Sequence, residues 1–235
     1  MYKRQYWGYA LRIGIPIVPH YLSGIILNQG DRIMIDKMVG KTEVALYGLA
    51  YSIGMLVQLF ISGMNSALTP WMYSKIKKGD IRSMRKVLQL LSIVVVGIAV
   101  ALMLISPELV LIFGSPKYRE AVYVIPPVAA SVFFIFIYNI LSMPQFYYEK
   151  TQFLMAASMA AAGANVVLNF IFIRLFGYIA AGYTTLACYM LYSVGHYIVS
   201  KRILVNEGIQ ENLMNPGFLL ACSVFLIGAS IICNL

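Results

Sequence analysis

Charge is what this chain has least of. Asp, Glu, Lys and Arg together make 11% of its 235 residues, against about 25% in ordinary soluble domains. A soluble domain of this size could not hide the 60% of hydrophobic residues that the chain carries, so a soluble fold is excluded. Histidine is nearly absent: His20 and His196 lie far apart, with no acids clustered around either, and no metal-ligating set results. Cys188, Cys222 and Cys233 are odd in number and all sit in apolar runs. They offer neither a disulfide framework nor metal spacing and read as small buried hydrophobes. No Gly-x-x-x-x-Gly-Lys-Ser/Thr run occurs, so there is no ATP-binding loop. No acidic pair suits a two-carboxylate hydrolase, and no large loop could house catalysis. The chain therefore reads as a non-enzyme without a cofactor. A cleavable leader is also lacking: the first apolar stretch is too long and has no small-residue cleavage site, so it reads as a retained helix.

What is abundant is apolar length. Mean hydropathy is +0.78, and a membrane-spanning helix needs about 20 largely apolar residues. Seven stretches qualify: Leu11–Val39, Ala45–Tyr73, Val87–Ile105, Ala121–Tyr147, Gln152–Phe176, Ile179–Ser200 and Pro216–Cys233. Turn-forming residues separate them, at Gly40-Lys41, Lys77-Lys78-Gly79-Asp80, Gly114-Ser115-Pro116, Gly177 and Asn206-Glu207-Gly208. The fold class is an all-α integral membrane bundle of six to seven transmembrane helices.

Net charge is +9, but the basic residues lie between apolar runs instead of forming a nucleic-acid stripe. With the N-terminus in the cytoplasm, twelve of the 18 Lys and Arg fall on the cytoplasmic side, Lys3, Arg4 and Arg12 among them, and six on the other. That bias sets the orientation. The densest run is Lys75–Lys86, six basic residues against Asp80 alone. It suits anionic lipid headgroups, or a regulatory partner.

Polar residues recur at helical spacing. The second stretch carries Tyr47, Tyr51, Gly54, Gln58, Ser62, Asn65, Thr69 and Tyr73 on one face. The first carries His20, Gly24, Asn28 and Asp31, with Arg32 alongside, and Pro16 and Pro19 interrupt its backbone ladder. Further stripes are Ser131, Tyr138, Ser142, Gln145 and Glu149; Thr151, Ser158, Ala162, Asn165 and Asn169; and Gly182, Thr185, Tyr189, Ser193, His196 and Ser200. Two readings stand: helix-packing faces, or walls of a shared aqueous cavity. Arg32, next to Asp31 and four residues before Asp36, suggests a local ion pair. The length of the first helix puts Asp31 and Arg32 near the outer headgroups, with His20 deeper.

Several segments, in order, carry a resemblance. They are Gly14-Ile15-Pro16 through Leu22-Ser23; Asp31-Arg32; Leu46-Tyr47-Gly48-Leu49-Ala50-Tyr51; Asn65 to Pro70; Asn169 through Gly177; Ala180-Ala181-Gly182; and Thr184-Thr185-Leu186. Together they resemble the polysaccharide and O-antigen flippases of the multidrug/oligosaccharidyl-lipid/polysaccharide exporter superfamily. The likeness covers residues 8–205 and the second six-helix lobe of a two-lobed flippase. It implies a C-terminal lobe over residues 1–205, a truncated additional transmembrane segment over 206–235, and a missing N-terminal lobe as partner. The implied activity is flipping of an undecaprenyl-diphosphate-linked oligosaccharide across the bacterial inner membrane by alternating access. The implied substrate-binding residues are Arg12 and Arg32 for the diphosphate and Asn28, Gln58, Asn65 and Asn139 for the glycan, with His20 and Asp31 beside them. A drug or cation antiporter of the same superfamily is the alternative and would need a membrane-embedded carboxylate, for which Asp31 is the candidate. A membrane polysaccharide polymerase would need a large basic outer loop, and none is present.

Overall fold

Nine α-helices and one 3₁₀ segment make up the computed structural model, which describes residues 2–234, with side chains from Tyr6 onward. The side chains of Lys3 and Arg4, counted above for orientation, lie outside the described residues. The helices are α1 (Tyr2–Met38), α2 (Lys41–Gly54), α3 (Leu56–Lys77), α4 (Ile81–Leu104), α5 (Ser106–Phe113), α6 (Ile125–Tyr147), α7 (Thr151–Phe176), α8 (Ala180–Asn206) and α9 (Pro216–Ile232). Five stretches are long and apolar enough to cross a membrane: α1, α2 with α3, α4, α6 and α7. The 27 residues of α8 are as long, but its polar stripe lowers its hydropathy, and α9 adds 17 apolar residues. Large apolar side chains such as Leu90, Ile93, Val167, Leu191 and Leu220 cover the exterior, as hydrocarbon requires. The chain is a multi-pass membrane protein.

The helix α1 runs through Pro16 and Pro19, whose missing N–H groups leave the Arg12 and Ile15 carbonyls without their ladder donors. The sequence expectation needs three corrections. The stretch read as one helix from Ala45 to Tyr73 is two, broken at Met55. Beside the break α2 approaches α6 closely: a Cβ on Gly54 would come within 2.6 Å of Val128 Cγ1. Around the break the bonding tightens to a three-residue step, Gln58 N–H to the Met55 carbonyl at 2.9 Å.

The basic loop before α4 shrinks to a turn at Lys78–Asp80, because Asp80 caps α4 by accepting from Ser83 N–H at 3.3 Å. Lys75 Nζ pairs with Asp80 at 2.5 Å and, by that bond above all, holds its carboxyl below the usual range. Finally, α6 begins at Ile125, not Ala121. The stretch before it forms α5 and the 3₁₀ turn Pro116–Tyr123, which pack under α2.

The centre of the bundle is α6. Nearly all of it is buried, against α8, α4, α3, α2 and α9. It is apolar all round, the pattern of an enclosed helix. By contrast α1 is an edge helix, resting on α7 and α2 with most of its apolar surface outward. The small and polar faces of α7 and α8 meet, and every residue of those two stripes is buried. This arrangement puts α1, α2, α7 and α8 around one point.

Candidate functional site

That point is Asp31, which has no solvent exposure. Tyr47 O–H donates to its Oδ2 at 2.6 Å, Thr185 O–H to the same oxygen at 2.7 Å, and Asn169 Nδ2 to Oδ1 at 2.6 Å. A second rank holds the first. Asn165 Nδ2 donates to Thr185 Oγ1 at 3.2 Å, its Oδ1 accepts from Asn169 Nδ2 at 3.1 Å, and Thr184 O–H donates to Asn169 Oδ1. The local reasons are periodic. Asn165 and Asn169 are one turn apart on α7, and the α7–α8 turn at Gly177 (φ 75°) brings Thr184 and Thr185 back opposite them.

Every donor around Asp31 is neutral. Arg32 does not pair with it, nor with Asp36: the ion pairs among the described residues are Lys75–Asp80 and Arg85–Glu211. The expected local pair is thus replaced by a charge-assisted cage, which lets a carboxylate stay inside the bundle without a cation. The two oxygens differ chemically. Oδ1 faces an amide N–H, which can only donate, whereas Oδ2 faces two hydroxyls, which can turn and accept. Oδ2 is therefore the oxygen able to take a proton without leaving a clash of donors. Asp31 lies seven residues from the end of α1, about 10 Å along the axis. It is enclosed within the bundle.

One turn away along α1, Asn28 Oδ1 accepts from Tyr51 O–H at 2.8 Å and from Tyr189 O–H at 3.4 Å. Asn28 also lines an open cavity of about 740 Å³ with Gln29, Arg32, Tyr51, Ser52 and Tyr138. Half-buried Arg32 stands at its wall. Its Nη1 donates to Gln29 Oε1 at 3.3 Å, its guanidinium lies 5.0 Å from the Tyr51 ring centre, and its Nε is buried with no partner. A cation held by stacking, with a donor to spare, suits an anionic group.

The other expected site residues fall elsewhere. Arg12 is exposed and lines a separate cavity of about 370 Å³ with Glu149, Lys150 and Thr151. It is 20 residues from Arg32 on one continuous helix, about 30 Å, so the two cannot grip one diphosphate together. Gln58 and Asn65 are half-buried on α3 outside the cavity wall, with Gln58 Oε1 and Asn65 Oδ1 unpartnered. Asn139 is half-buried on α6, also outside that wall. His20 accepts or donates at Nδ1 with Tyr192 O–H, 3.1 Å away. Sequence reasoning placed Tyr47, Asn165, Asn169 and Thr185 on polar stripes but did not gather them into the site. The signal was available: three polar stripes and one membrane-embedded acid to satisfy.

The family described as MatE matches residues 16–171, which covers α1 through most of α7. Two proteins of Haemophilus influenzae strain Rd are similar. One, named Lsg locus putative protein 1, is 29% identical over 159 residues, 64% of this chain and 38% of that protein. The other, named an uncharacterized membrane protein, is 30% identical over 159 residues, 64% of this chain and 37% of its own length. Both matches thus span well under half of the relatives' length. No solved structure matches.

Proposed function

The chain belongs to the MatE family of membrane transporters, and from that premise we propose that it helps carry a lipid-linked oligosaccharide, an undecaprenyl-diphosphate glycan, across the bacterial inner membrane. The observation that carries this reading is Arg32 at the wall of the cavity of about 740 Å³. A basic group stacked on Tyr51 suits a diphosphate, and Asn28, Gln29 and Ser52 supply hydrogen bonds for sugar hydroxyls. The flippase-like segments named above support the same substrate class. The N-terminus lies in the cytoplasm, and a second lobe closes the open side of the cavity and rocks against this one. Arg12 belongs to the mouth on the N-terminal side, not to the Arg32 cavity.

Asp31 adds an energy input to this reading. Enclosed among α1, α2, α7 and α8, its carboxylate holds those helices together through three side chains, Tyr47, Asn169 and Thr185. Protonation removes its charge and reverses one of the two hydroxyls at Oδ2, so the two protonation states favour different packings. The same observation favours the second reading, a drug or cation antiporter, which needs such a carboxylate.

Reconstitution of the complete protein in vesicles separates the two. With a lipid-linked oligosaccharide supplied on one leaflet, flippase activity moves the glycan to the other, is lost in Arg32→Ala and partly returns in Arg32→Lys. Proton-driven movement of a cationic drug, with no movement of the glycan, establishes the antiporter instead.

A further inference from the structure

Asp31 has no solvent exposure, so a proton needs a route to reach it. On the reading that Asp31 is the protonation site, we propose that the seam between α6 and α8 at His196, Gln145 and Ser200 holds internal water and is the route by which protons reach Asp31.

Three buried polar atoms in this seam have no partner: His196 Nε2, Gln145 Oε1 and Ser200 Oγ. Buried polar groups are nearly always satisfied, and ordered water is the usual partner when protein supplies none. Gln145 Nε2 donates to the Leu141 carbonyl at 3.3 Å and lies 2.7 Å from His196 Nδ1. A carbonyl only accepts, so the amide nitrogen faces it, Nδ1 accepts from the same nitrogen, and the ring hydrogen sits on Nε2. That hydrogen has no acceptor in the protein. A water there takes it, and the Ser200 hydroxyl one turn along α8 continues the file.

The seam is one end of a longer polar line. Ser200, His196, Tyr192, Tyr189 and Thr185 follow one face of α8, all buried, over about 22 Å. The far end, Thr185, bonds Asp31 itself. Between the ends, the Tyr192 ring is 4.5 Å from that of His196 and its hydroxyl meets His20, while the Tyr189 hydroxyl meets Asn28. Tyr138 of α6 lies beside the rings of Tyr189, Tyr192 and His196. The line has three gaps, from His196 to Tyr192, from Tyr192 to Tyr189 and from Asn28 to Asp31, and water bridges all three.

His196 stays neutral as a proton passes: its Nε2–H holds the water, Nδ1 stays occupied by the Gln145 amide, and the proton moves along the water file, each water taking one hydrogen from the Ser200 side and releasing one toward Tyr192. The groups facing His196 are His20 from α1, Tyr138 and Gln145 from α6, and Tyr192 on α8 itself. From α7 comes Ser158, beside Tyr192; the single charge of α7, Arg174, lies at its opposite end over Phe170. No carboxylate faces the ring among these groups, so nothing fixes a proton there permanently.

The test uses the chain in lipid nanodiscs. Brief hydroxyl-radical labelling is expected to oxidise Tyr192 and His196 well above the equally buried Phe133 and Phe136. Infrared spectroscopy then follows the protonated Asp31 carboxyl, assigned by its absence in Asp31→Asn, after a pH jump. His196→Phe is expected to slow its appearance by about ten-fold or more, as is the milder Ser200→Ala to a lesser degree, with helicity and elution volume unchanged. Unchanged rates in both variants, or labelling no greater than at Phe133, overturn the route alone. A wild-type carboxyl that never titrates overturns the route together with the reading of Asp31.

Discussion

Tyr47 and Asp31, 16 residues apart in sequence, meet at 2.6 Å where α1, α2, α7 and α8 converge, the phenol donating to the carboxylate. Both side chains are fully enclosed. This bond ties α2 to α1 directly, and through Thr185 and Asn169 it ties both to α8 and α7.

Tyr47→Phe removes one of three donors to a buried charge and leaves the ring in place. The expected loss is about 2 kcal/mol, read as a lower melting temperature in detergent. Asp31→Asn keeps an acceptor and removes the charge, so it is expected to fold with a melting temperature closer to wild type and to lose any dependence of transport on the proton gradient.

Arg32→Ala is expected to do the reverse. Arg32 has no ion pair to lose, only its stacking on Tyr51 and one bond to Gln29, so stability falls by about 0.5–1 kcal/mol, while transport of the anionic substrate fails. Parallel melting and vesicle assays separate the two effects. Arg12→Ala is expected to leave binding in the Arg32 cavity unchanged, because the two residues lie in separate cavities.

Gly54→Ala places a Cβ within 2.6 Å of Val128 Cγ1. Overpacking of this kind costs about 1–3 kcal/mol. Gly54→Ala together with Val128→Ala makes room, and recovery of the melting temperature in the double variant is expected. No recovery would show that the strain lies in the backbone break at Met55.

Asp80 gives a pH-dependent contribution at the α3–α4 turn. Lys75 lowers its pKa in the folded chain, so its stabilising effect is present above the unfolded value, about 3.9, and is lost as pH falls through the lowered folded value. Melting temperatures of wild type and Asp80→Asn are expected to differ at neutral pH and to converge in acid.

The helices were legible because hydrocarbon demands long apolar runs, and α4, α7 and α9 begin or end within a few residues of where composition alone puts them. The break at Met55 was not. It sits beside the approach of Val128 to Gly54, between residues 74 apart, which no local pattern announces. The same holds for the site. Each polar stripe was visible by spacing, yet which stripes face one another depends on packing. Arg32 beside Asp31 looked like an ion pair, and instead the two point to different compartments, one into the cage and one to the cavity. The centrality of α6 was hidden as well, since an apolar helix reads the same whether lipid or protein surrounds it.

The most direct measurement is on a bacterial strain lacking the complete gene. Its lipids are extracted and assayed for undecaprenyl-diphosphate glycans held on the cytoplasmic leaflet. The account predicts accumulation, reversed by the full-length gene and not by its Arg32→Ala form. No accumulation, with altered sensitivity to drugs or cations instead, contradicts it and makes the chain part of an antiporter.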